Sequence, residues 1–247
     1  MIVLRPVLEV CPADGFDLWP VAALAPYDFM PLNGDLSPAE VGTAVMSIAK
    51  ANDFEPEGGP RRPSDPLGAF LHGLLTLDDL FAPGGLRVTD TATGAVLSPG
   101  CCNGLDERTD WSEVLDGDGR ASFGHDPSPA AERIGDRARL TVDADREDGP
   151  VIELPLTDLR RLLAAAEHDL TAFLHLAATW ATAHLPAHAS RLHGALARAL
   201  GLPDQPGTRG ATRTEGDGRR ARVARTKEGG RWARAALLSE SAGTLRP

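Results

Sequence analysis

The residue types able to do chemistry gather in a few places along the chain. Residues 98–111, S-P-G-C-C-N-G-L-D-E-R-T-D-W, set two adjacent cysteines between glycines. A cysteine thiolate is a nucleophile and a metal ligand. Cys101 and Cys102 are therefore candidates for a metal or redox centre, and Cys11 and His125 could complete a ligand set. Their spacing argues the other way, because zinc sites usually leave roughly two to four residues between paired cysteines. The plainer expectation is a tight connection. Pro99-Gly100 leaves a strand, and Asn103-Gly104 supplies the positive φ of a second turn.

Six carboxylates follow: Asp106, Glu107, Asp110, Glu113, Asp116 and Asp118. The D-G-D-G run at 116–119 resembles a calcium loop only superficially. Counted from Asp116, positions 5, 6 and 12 hold Arg120, Ala121 and Pro127, where an EF-hand needs a polar oxygen, Gly and Glu. The run with Trp111 is therefore read as a surface for a protein partner. Solvated carboxylates on a helix face are the plain alternative.

Five of the seven histidines fall in 168–193. His168 and His175 share one helix face, while His184 lies about 160° away from His168 at 100° per residue, so one helix cannot gather all three. His184 and His188 have the i, i+4 spacing of a metal pair, but Pro186 intervenes and no H-E-x-x-H surrounds them. They remain weak metal candidates, as do Cys101, Cys102 and His125. The chain has no G-x-S-x-G, no phosphate loop and no G-x-G-x-x-G. No cofactor is expected.

Several elements must position these residues. Residues 2–10 read as a first strand, and 11–35 as irregular apart from a short helix near Leu18–Leu24. Ser37, Pro38 and Glu40 form a capping box for a helix to about Asn52. Ser64 is expected to cap a second helix over about 65–81. Residues 86–98 read as a β-hairpin around a glycine turn. Thr109 or Asp110 starts a short helix through Leu115. Strands are expected near 121–123, 138–143 and 151–154.

From Thr157 the apolar residues Leu159, Leu162, Ala166, Leu170, Phe173, Ala177 and Trp180 recur in steps of three and four, which predicts one continuous helix to about His184. A second helix over about 187–200 should end at Gly201.

Composition bounds the rest. Charged residues are 24% and aromatics 5% of 247 residues, so aliphatic side chains must supply most of a globular core. Arg outnumbers Lys so heavily, alongside abundant Ala, Gly and Pro, that a GC-rich, actinobacterial genome is the expected source. The net charge of −10 is unevenly spread. Residues 203–247 carry ten Arg or Lys against five Asp or Glu, leaving 15 basic and 30 acidic residues in 1–202. The tail has few apolar residues and many Gly and Arg, which predicts disorder, with a short helix near Arg231–Leu238. The N-terminus lacks the pattern of a signal peptide, and no apolar run reaches 18 residues, so a cytoplasmic protein is expected.

The resulting expectation is an α+β fold: one domain over 1–202, with a small, mostly antiparallel sheet, packed helices and a C-terminal helical pair at about 157–201. A disordered Arg-rich tail at 203–247 follows. The expected function is non-catalytic protein–protein binding through the acidic surface, with an immunity-type protein against a basic toxin as one version. The alternative is a hydrolase or metal-dependent enzyme built on the Cys101–His125 region with His184 and His188. Nucleic acid is expected to be no partner, except through the arginines at 209–234.

Overall fold

A computed structural model describes residues 1–55 and 58–203, together with the backbone of 225–228 and 231–234. The architecture is α+β, with two separate four-stranded antiparallel sheets where one was expected.

Strand β1 (Ile2–Glu9) lies inside the first sheet, between β2 (Phe29–Pro31) and β3 (Gly84–Asp90), with β4 (Val96–Leu97) at the far edge. The β1–β3 pairing runs from Ile2 opposite Asp90 to Leu8 opposite Gly84. The hairpin of β3 and β4 stands where the sequence placed it. β2, however, falls in the stretch expected to be irregular, and Leu18–Leu24 forms no helix. Trp19 anchors that stretch instead. Its indole N–H donates to Gly42 O at 2.8 Å, and its ring meets Trp180 edge-on at 5.6 Å.

The second sheet is a meander of β5 (Arg120–Ser122), β6 (Ala130–Ile134), β7 (Arg137–Thr141) and β8 (Val151–Pro155). β7 and β8 alternate between buried and exposed side chains. Ala138, Leu140, Ile152 and Leu154 face inward. On the outer face Arg139 pairs with Glu153 at 2.9 Å. β6 falls where no strand is expected from the sequence.

Helix α1 (Pro38–Ala51) begins with the expected capping box: Glu40 N–H donates to Ser37 Oγ, and Ser37 N–H donates to Glu40 Oε2. α2 (Pro66–Thr76) starts one residue later than expected and stops five short. Asp65, not Ser64, accepts its Gly68 N–H, because Pro66 fills the first helical position. A 3-10 helix at Leu105–Asp110 leads into α3 (Trp111–Leu115). The helical pair is α4 (Leu156–His184) and α5 (Ala189–Ala199), the latter closed by Gly201 at φ +60°.

Buried side chains form two clusters. One joins α1, α2, α5 and the later part of α4. The other lies between the second sheet, α3, the start of α4, and Leu4, Leu86, Val88 and Leu97 of the first sheet. α4 belongs to both: Leu159, Leu162 and Ala166 enter the second cluster, and Leu170, Phe173 and Ala177 enter the first. At about 1.5 Å per residue the helix spans about 43 Å. β1 is shared in the same way, through Leu4 and Leu8.

The expectation of disorder falls largely outside the described residues. Within 203–247, β9 (Arg225–Glu228) pairs antiparallel with β10 (Arg231–Arg234), so a strand stands at the start of the stretch expected to be helical. Among the described residues no helix is long and apolar enough to cross a membrane.

Candidate functional site

The loop after β4 is fixed by backbone pairing on both sides of its midpoint. Before the midpoint it pairs with the loop after β5. Gly100 N–H donates to Phe123 O at 2.8 Å, Cys101 N–H to His125 O at 2.5 Å, and His125 N–H to Cys101 O at 3.3 Å. After the midpoint it pairs with the chain entering β3, where Gly84 N–H donates to Asn103 O at 3.0 Å and Leu105 N–H to Ala82 O at 2.9 Å. The chain changes partner between these two ladders at Cys102, which adopts φ +66°.

This corrects the expected turn. The positive φ falls on Cys102, while Gly104 is extended at φ −112°. The cause is non-local: Asn103 is buried and donates its amide to Gly84 O at 2.7 Å, which commits the following residues to β3.

The left-handed residue decides the chemistry. Successive side chains of an extended strand point to opposite faces. At Cys102 that alternation is broken, and the two thiols lie together, Sγ to Sγ 3.3 Å. His125 sits on the paired loop. Cys101, Cys102 and His125 each bring a donor atom, and all three donors lie within 4.8 Å of one another. No disulfide joins the cysteines. The thiols are half-buried, whereas His125 is 59% exposed. Asp126 places a carboxylate oxygen 3.4 Å from His125 Nδ1.

Close backbone approach makes the convergence possible. A Cβ on Gly100 would lie 2.4 Å from Pro127 O, and one on Gly124, at φ +94°, would lie 2.6 Å from Cys101 O. Only glycine fits at either position.

The other weak metal candidates stay apart from this group. Among the described residues the donor cluster contains neither His184 nor His188. His184 stacks on Trp180 with ring centroids 4.8 Å apart, and its Nδ1 lies 3.0 Å from Trp180 O. His188 precedes α5, and its carbonyl accepts from Leu192 N–H. Cys11 is buried beneath α1, where its N–H donates to Ser47 Oγ at 3.0 Å.

The acidic segment is less open than its sequence implies. Trp111, read as part of the binding surface, is 1% exposed and stacks on Phe123 at 4.2 Å. Its ring fills the second core, because α3 turns that face inward. Glu107 accepts from Gly104 N–H at the start of the 3-10 helix. Asp118 accepts from Arg120 N–H at 3.0 Å. Asp116 receives both terminal nitrogens of Arg160, at 2.9 and 3.2 Å. That hydrogen-bonded pairing holds the Asp116 carboxyl below the ordinary carboxylate range. Glu113, Asp116 and Asp118 are exposed, and Asp106 and Asp110 are half-buried.

Arg108, which stands inside the acidic run, is a further buried charge. Its guanidinium is buried, meets Glu167 at 2.8 and 3.0 Å, and donates to the carbonyls of Leu105, Leu200 and Gly201. An arginine surrounded by carboxylates, followed by a helix with a glutamate on its flank, was the available signal.

The chain matches no protein-family model, no curated protein and no solved structure.

Proposed function

We propose that the protein works by binding another protein, a basic one, through the carboxylates that follow β4. The observation that carries this reading is the charge of residues 1–202, with 30 acidic against 15 basic residues. Such an imbalance draws a basic partner from a distance and speeds the encounter. Exposed Glu113 and Asp118, with half-buried Asp110 beside them, lie on the segment that joins the two sheets.

The specific form of the reading is an immunity-type role, in which this surface covers a basic toxin. The protein then needs no catalysis. The encounter belongs in the cytosol, and three thiols with no disulfide fit a reducing compartment.

Affinity capture at graded ionic strength tests the reading. Basic partners are expected, released as salt rises. The double substitution Asp110→Lys with Glu113→Lys should preserve the fold and weaken capture. Partners that are acidic, or retention indifferent to salt, would refute it.

A further inference from the structure

We propose that Cys101, Cys102 and His125 form a three-ligand site for one Zn2+ ion, with the fourth position open to solvent. The donor set suits a thiophilic ion: two thiolates and an imidazole favour zinc over the hard cations, which prefer oxygen. Two thiolates also neutralise a divalent charge, and Asp126 adds a further negative group beside the ring. Metal binding takes the thiol protons, which pass to solvent.

The geometry is close to what the ion requires. Tetrahedral zinc holds sulfur at about 2.3 Å, which separates two ligating sulfurs by about 3.8 Å. The thiols stand 3.3 Å apart, so they need open by only about 0.5 Å. The third donor is already within reach. Adjacent cysteines are poor zinc ligands in an extended chain because they face opposite ways. Here the left-handed Cys102 turns both to one side, and the backbone ladder from Cys101 to His125 holds the third ligand on a separate loop.

The exposure of His125 leaves one side of the cluster facing water. Three protein ligands with an open fourth place are the pattern of zinc sites that bind or activate a small molecule. The site is independent of the carboxylate surface proposed above and would survive the failure of that reading.

The test uses the full chain, reduced and stripped with a chelator, then titrated with Zn2+ against a chromophoric competitor. One Zn2+ per chain is expected. Substitution with Co2+ should give the near-ultraviolet thiolate charge-transfer absorption. His125→Ala alters an exposed side chain and leaves its backbone pairing intact, so it should fold and weaken binding by about a hundredfold or more. Cys101→Ser with Cys102→Ser should abolish the absorption. His184→Ala with His188→Ala should change nothing. Equal affinity in the wild type and His125→Ala, or in the wild type and the double serine variant, would overturn the proposal.

Discussion

Cys102 is a non-glycine residue held at φ +66°. In that conformation Cβ crowds the following carbonyl, at a cost of about 1 kcal/mol. Cys102→Gly should therefore be more stable than Cys102→Ala by about 1 kcal/mol, as read from urea midpoints. Equal stabilities would mean that the surrounding loop relaxes. Arg108 makes the opposite case, since beside Glu167 it is held by three main-chain carbonyls. Removing it takes a buried donor from the carbonyls of Leu105 and Leu200. Arg108→Ala should cost about 2–4 kcal/mol in chemical denaturation, while Glu167→Gln, on the half-exposed partner, should cost much less.

At the scale of elements, Asp116 ties α3 to α4 through Arg160. Its carboxyl is held low in the folded state, so its contribution is complete above its unfolded value, about 4, and vanishes as the pH falls through the folded one. Acid should lower the melting temperature less steeply in Asp116→Asn than in the wild type, and an unchanged slope would remove the pair from the account. Elements with local causes were legible. Ser37, Pro38 and Glu40 cap α1 within four residues, and the stripe from Leu159 to Trp180 announces α4 without reference to anything distant. β6 was not legible. Its A-A-E-R-I lacks a β-branched run, and it is extended because β5 and β7 pair with it on either side. The metal-donor cluster was hidden for the same reason. The residue types were visible, but their convergence depends on Cys102 turning between two ladders made by remote segments. Trp111 misled because its acidic neighbours describe one face of the segment and the tryptophan lies on the other.

For the whole molecule, three of the four tryptophans divide between the cores: Trp19 and Trp180 report on one, Trp111 on the other. Because α4 and β1 enter both, the two cores should melt together. In a Trp232→Phe background, Trp111→Phe, and Trp19→Phe with Trp180→Phe, should give coincident urea transitions when each variant's fluorescence is compared with its own circular dichroism. His168→Pro breaks α4 on its exposed side, between the parts serving each core. It should cost about 3 kcal/mol or more and separate the two transitions. Transitions already separate in the wild type would show two independently folding units. The shared helix has a further consequence during synthesis. A ribosome releases the chain from its N-terminus. When residue 155 emerges, every strand of both sheets exists, yet neither core has the wall that α4 supplies. Leu8, Leu86 and Leu140 must wait for Leu159 to Ala177 before water is shut out. The nascent protein therefore carries two open apolar faces for most of its synthesis, and closes both within the emergence of a single helix.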